Sequence, residues 1–201
     1  MNSGHHHSHG GGDRVFDHKN WAKLESPERR EKMDPKLLAS AMKLRGNEVV
    51  LDIGCGTGFV AEAIAPLCSA LVGVDLSEQM LDVFRSKMKD GALTNVILKT
   101  GVGEDLPVDN HSCDVAFHVN LLHEISGRDK FHSEIIRVLK PGGRIFAVDW
   151  RALDTGWGPP VDHRVPEETA AKWLAEAGFV SVKSVDIYRD HYVIQASSPA
   201  E

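Results

Sequence analysis

Cysteine is scarce in this sequence: Cys55, Cys68 and Cys113 are the three among 201 residues. They form no CxxC pair and no disulfide-like spacing, which excludes a disulfide framework and points to a reducing, cytoplasmic setting. Long apolar runs are absent too, and none nears the roughly 18–20 residues that a membrane span requires. The first residues carry no basic segment ahead of an apolar one, so no secretory signal is expected. Clusters of Lys and Arg are also missing. With 23 basic against 29 acidic residues and a net charge of −6, a nucleic-acid partner held through phosphate contacts is not expected. What is left is 42% hydrophobic and 26% charged. A chain of this length suits one domain, burying about 70% of its unfolded surface without help from disulfides or metal.

The opening stretch, MNSGHHHSHGGG, holds four of the 11 histidines. Gly and Ser surround them, so residues 1–12 are expected to form a disordered tail. A purification tag, an inert native tail and a tail that loosely chelates Ni, Zn or Cu all remain open. No Cys or acid within the tail completes a tetrahedral site, and no metal ligand is assigned.

Residues 13–46 read as a helical lid, and residues 47–201 as one α/β domain. In the lid, Ser26-Pro27 and Asp34-Pro35 each place a capping side chain before a proline at the first helical position. Leu37, Leu38, Ala41 and Met42 recur at helical spacing, and Gly46 is expected to stop that helix. Short apolar runs then alternate with helices. Strands are expected at 49–53, 70–74, 96–98, 114–117 and 144–149, and helices at 59–67, 77–89 and 166–177. Phe131, Ile135, Val138 and Leu139 mark the buried stripe of a further helix, which Pro141-Gly142-Gly143 should end. Two last strands, 179–188 and 191–197, meet at Arg189-Asp190 and should pair antiparallel. The pattern implies a doubly wound sheet of seven strands, mostly parallel, with an antiparallel last pair.

The most informative stretch is VVLDIGCGTGF, residues 49–59, where a strand feeds a three-glycine loop and a helix follows. Glycine lets the backbone turn tightly and approach a ligand with no Cβ in the way. The spacing is G-x-G-x-G, with Phe59 where a dinucleotide fingerprint needs its third glycine. No Gly-Lys-Ser/Thr follows, which excludes a P-loop. Asp75 ends the next strand, 21 residues after Gly54, where a carboxylate can accept both hydroxyls of a ribose.

LDIGCGTGF, VGVDLSEQM and LKPGGRIFAVDW together resemble the class I S-adenosylmethionine-dependent methyltransferases. Within them the chain is most similar to the small ubiquinone/menaquinone C-methyltransferase-like group, over residues 35 to about 197. The resemblance implies a Rossmann-like fold and S-adenosyl-L-methionine as cofactor. It places Asp52, Gly54, Cys55 and Gly56 at the methionine end, Asp75 on the ribose and Leu76 against the adenine. His118 would meet the methionine end, chiefly through its main chain. Relatives read Gly-Asp-Ala-Glu-Asp-Leu-Pro after the third strand, whereas this chain has Val102 in place of the first Asp. Adenine recognition is therefore expected from the main chain of Val102 and Gly103, helped by Glu104.

Ligands of open α/β sheets bind beyond the carboxyl ends of the strands. His123, a few residues past the fourth strand, is the candidate base or orienting donor, and Asp149 is a second candidate, at the end of the fifth. Each has a plain alternative as a packing, capping or salt-bridging residue. The expected lid is Phe16 to Lys32 with the loop from Thr155 to Pro160, and Trp21 and Trp157 as apolar cover. The reading is methyl transfer to a small-molecule acceptor. Its alternatives are methylation of a metal or metalloid ion, and a non-catalytic protein that binds S-adenosylmethionine.

Overall fold

The computed structural model describes residues 18–91 and 93–200. The expected tail, and the start of the lid including Phe16, lie outside them. Seven strands form one sheet: β1 (Val49–Ile53), β2 (Ala70–Asp75), β3 (Val96–Thr100), β4 (Cys113–Val119), β5 (Leu139–Trp150), β6 (Val180–Ser184) and β7 (His191–Ser197). Their order is β3-β2-β1-β4-β5-β7-β6. Only β7 runs against the rest, pairing antiparallel with both β5 and β6. The sheet expected from the alternation is the one observed.

Helices cover both faces. On one, α2 (Pro35–Met42), α3 (Ala61–Ile64) and α4 (Glu78–Gly91) pack on β-strand residues such as Val115, Phe117 and Phe146. On the other, α5 (Arg128–Val138) and α6 (Glu167–Glu176) cover Leu51, Ala116 and Ile145. Neighbours along the central strands β1, β4 and β5 thus face opposite layers, as the pleat requires, and both layers are buried there. The chain winds outward from β1 through β2 to β3, then returns to β4 on the other side of β1. That reversal opens a crevice at the carboxyl ends of β1 and β4.

Several boundaries differ from expectation. Residues His18–Glu25 form a 3₁₀ helix ahead of α1 (Pro27–Lys32). Ser26 caps α1 by accepting from Arg29 N at 3.2 Å, and Asp34 caps α2 by accepting from Lys36 N at 2.9 Å. Lys43, with φ 48°, ends α2 in a left-handed cap, so Gly46 is not the stop. The expected helix at 59–67 is four residues of α-helix followed by a 3₁₀ turn, Ala65–Leu67. Pro66 lacks the N–H that would continue it. Pro141-Gly142-Gly143 does not end a helix. α5 stops at Val138, and Leu139 already pairs with Cys113 in β4; the next pair is Val115 with Arg144, so the Pro-Gly-Gly segment is an excursion within β5.

Candidate active site

A cavity of about 970 Å³ lies over the crevice. Its floor is the loop after β1, in which Gly54, Gly56 and Gly58 take φ of 72°, 52° and 80°. Gly54 and Cys55 donate their N–H groups to Val74 O at 2.8 and 3.0 Å, which ties the loop to the end of β2. A Cβ on Gly58 would come within 2.4 Å of the Phe84 ring, so that glycine lets α4 close against the loop. The Cys55 side chain points at Gly73. Burial, with the charges of Asp52 and Asp75, pushes its thiol well up, so it is an inert packing group.

Two carboxylates face this floor. The Asp75 carboxylate accepts from Gly56 N at 2.7 Å and from Ser77 N at 2.8 Å. Burial still raises its pKa, against those two hydrogen bonds. Asp52 is buried at the end of β1, and burial plus the Asp75 charge pushes it well above the usual carboxylate range. Among the described residues neither acid is ion-paired. A site with two uncompensated acids suits a ligand bearing an ammonium and vicinal hydroxyls. Leu76, Val102, Gly103 and Glu104 line the same cavity farther along, with Leu76 and Val102 exposed as open apolar surface for a flat ring. The residues expected to hold S-adenosylmethionine, His118 excepted, are therefore brought together, and their chemistry fits it.

His118 is the exception. The alternation along β4 turns its side chain toward α5, where its ring meets Phe131 edge-on at 5.4 Å. It is fully buried and outside the cavity wall, and among the described residues neither ring nitrogen has a partner. Burial lowers its pKa to about 4, so it is neutral. Its chain neighbours Val119 and Asn120 line the cavity in its place.

His123 and Asp149 meet. His123 Nδ1 lies 2.8 Å from Asp149 Oδ1, and His123 N donates to Asp149 Oδ2 at 3.3 Å. Asp149 is fully buried and also accepts from Trp150 N at 2.8 Å, so its carboxylate is held in place. Burial depresses the His123 pKa, but the hydrogen bond and charge of Asp149, with Glu124 beside it, outweigh that and leave it raised. His123 lines the cavity, and the nearest acid to its Nε2 is Glu124 Oε1 at 3.8 Å. An imidazole fixed through Nδ1 presents Nε2 as its working nitrogen.

Two segments wall the far side. One is the lid, from Lys23 through α1. Glu25 accepts from the Thr57 hydroxyl and from Lys87 Nζ at 2.8 Å, and Lys87 also donates to Thr57 O at 3.0 Å. These contacts latch the lid onto the glycine loop. Trp21 is exposed and takes no part in the wall. The other segment follows β5, where the Trp157 ring stands edge-on to Trp150 at 4.5 Å. Lys32 Nζ lies 4.6 Å from the Trp157 ring and joins the two walls.

Sequence reasoning missed what builds the second wall. The buried Arg164 guanidinium donates to the carbonyls of Arg151, Leu153, Trp157 and Pro159, at 2.6 to 3.1 Å, and to Thr155 Oγ1 at 3.3 Å. A loop with no periodicity and several buried carbonyls needs a donor, and asking which residue supplies it would have pointed here.

Comparison with known proteins agrees with this geometry. Residues 51–147 match the family model described as a methyltransferase domain. An uncharacterized methyltransferase of Bacillus subtilis, YcgJ, is 34% identical over 116 residues, covering 58% of this chain and 46% of that protein. The demethylmenaquinone methyltransferase of Tropheryma whipplei is 34% identical over 114 residues, covering 55% and 46%. The chain spans about half the length of these curated relatives. A crystal structure of a SAM-dependent methyltransferase from Aquifex aeolicus superimposes with a TM-score of 0.86 at 26% identity, over 92% of this chain and all of that one. The matched methyltransferase domain and the shared fold of that structure support an S-adenosylmethionine-dependent methyltransferase.

Proposed function

We propose that the protein transfers a methyl group from S-adenosylmethionine to a small-molecule acceptor whose nucleophilic atom arrives carrying a proton. The observation that carries this reading is the Asp149–His123 pair opening into the cavity beside the glycine loop. When bound, the cofactor would supply an activated methyl group and would be left as S-adenosylhomocysteine. Asp52 holds the ammonium of the methionine end, over the main chain of Gly54, Cys55 and Gly56. Asp75 holds the ribose hydroxyls, and Leu76 with the main chain of Val102 and Gly103 holds the adenine, Glu104 assisting.

Asp149 fixes the His123 ring, and His123 Nε2 takes the proton the acceptor gives up. The lid and the Trp157 wall exclude water and align the acceptor with the S–CH₃ bond. Such alignment is worth up to about 7–11 kcal/mol. Three free, buried cysteines are in keeping with a reducing, cytoplasmic protein. No helix among the described residues is long and apolar enough to cross a membrane. Among those residues no three His, Cys, Asp or Glu side chains are grouped to hold a metal ion.

The test is His123→Ala, with S-adenosylhomocysteine release measured across a panel of hydroxyl- and amine-bearing acceptors. Cofactor affinity should stay near parental while turnover falls about 10²–10⁴-fold. Turnover that survives the substitution refutes the assignment of the base. A parent that binds cofactor and methylates no acceptor would favour the non-catalytic reading.

A further inference from the structure

The lid contributes a cation that methyl transfer, as argued so far, leaves without a task. Arg29, in α1, lines the cavity with its guanidinium carbon 4.3 Å from the centroid of the Phe59 ring. Its Nη1 donates to Leu24 O at 2.9 Å. Among the described residues no carboxylate lies within ion-pair distance of it. Glu25, whose charge it feels most, is already committed to Thr57, Lys87 and Arg30. Glu28 is turned to Lys32, at 2.6 Å. Burial, with Arg30 beside it, lowers the Arg29 pKa to about 10 against the opposing charge of Glu25.

Arg29 reaches the cavity from the lid helix α1, whereas Asp52 and Asp75 belong to the ends of β1 and β2. Arg29 acts electrostatically on Tyr188 and His191, at the β5–β7 side. Lys23 and His163 line the cavity as further basic groups, and three aromatic residues line it too, the half-buried Trp157 and the more deeply buried Phe59 and Trp150. A planar guanidinium fork matches a carboxylate better than any other anion of that size, and an aromatic floor under it suits a ring.

We infer that Arg29 anchors a carboxylate borne by the methyl acceptor, whose flat body lies along the Phe59–Trp157 wall, so that the substrate class is aromatic or similarly planar carboxylic acids. The inference rests on the reading of this cavity as a methyl-transfer site. It also gives the lid a function, since an acceptor seated on Arg29 binds to the lid as well as to the sheet and holds it closed.

The experiment is calorimetry on the full chain saturated with S-adenosylhomocysteine, titrated with 2-naphthoate and with the neutral 2-naphthamide. The parent should prefer the acid by about tenfold or more, as charge-assisted hydrogen bonds allow. Arg29→Gln should erase that preference, and Arg29→Lys should keep part of it, with S-adenosylhomocysteine affinity near parental in both. The lysine variant covers the case in which the glutamine variant fails to fold. Equal binding of acid and amide, or no binding of either at millimolar concentration, overturns the inference. So does a preference that survives Arg29→Gln. A loss of S-adenosylhomocysteine affinity in both variants would assign Arg29 to the cofactor's own carboxylate and overturn it as well. A parent that fails to bind S-adenosylhomocysteine at all overturns the methyl-transfer reading, and this inference with it.

Discussion

Acid should destabilise this protein well above the pH at which carboxylates protonate. Three histidines are buried neutral: His118 against Phe131, His132 on α5 and His191 under Trp150, whose ring centroid is 4.1 Å away. Burial lowers the pKa of each from 6.5 to about 4. A folded pKa below the unfolded one means that the unfolded chain binds more protons. The stability such a group supports is therefore full above pH 6.5 and lost as pH falls toward 4. At pH 5 the linkage for one such histidine comes to about 2 kcal/mol. Three together reach about 6 kcal/mol, against a whole-domain stability of about 5–15 kcal/mol. His123, with its raised pKa, works the other way: its contribution is full below 6.5 and lost as pH rises through the folded value. Urea denaturation at pH 8 and pH 5 measures the sum, and His118→Leu isolates one member with an apolar side chain of similar size. The loss between the two pH values should shrink in that variant by about 2 kcal/mol. An unchanged difference would mean that His118 is hydrated or charged in the fold, and that the orphaned ring nitrogens have water partners.

Other consequences can be checked singly. Gly58→Ala should cost about 2–5 kcal/mol by denaturant titration, because a left-handed backbone is strained by a side chain and the new Cβ meets the Phe84 ring. Asp75→Ala should weaken S-adenosylmethionine binding in calorimetry, by roughly 1.5–3 kcal/mol for each ribose hydrogen bond to a charged acceptor. Parental affinity there would refute the ribose assignment. Asp149→Asn removes what raises the His123 pKa, so the alkaline-rising limb of the pH–rate profile should move to lower pH while the maximal rate falls. Arg164→Lys leaves most of the loop carbonyls without donors, so acceptor KM should rise with cofactor affinity unchanged.

Legibility in the sequence followed the range of the interaction that fixes each feature. β1 read to the residue because an apolar run reports burial on both faces locally, and β7 because Arg189-Asp190 marks where it starts. The start of β5 did not, since Pro141-Gly142-Gly143 is a breaker in any local window and only the pairing of Leu139 with Cys113 makes it part of a strand. Asp75 was legible because a β-α-β unit sets its distance from the glycine loop. His123 and Asp149 lie 26 residues apart, yet each could be placed at a carboxyl strand end, and two such ends of adjacent strands bring them within a hydrogen bond. The direction of the His118 side chain was also in the sequence, although the expectation for that residue concerned its main chain. Alternation from Val115 and Phe117, which face one layer, sends Ala116 and His118 to the other. Arg29, Arg164 and Lys87 were beyond that logic. Their partners are main-chain carbonyls, an aromatic face and acids on other elements, and a long basic side chain on a polar segment reads locally as solvated. The sheet and the glycine loop are thus written in short-range pattern, while the two far walls of the cavity depend on cations that find their partners only after folding. Substitutions at those three cations should alter acceptor handling well before they disturb the sheet.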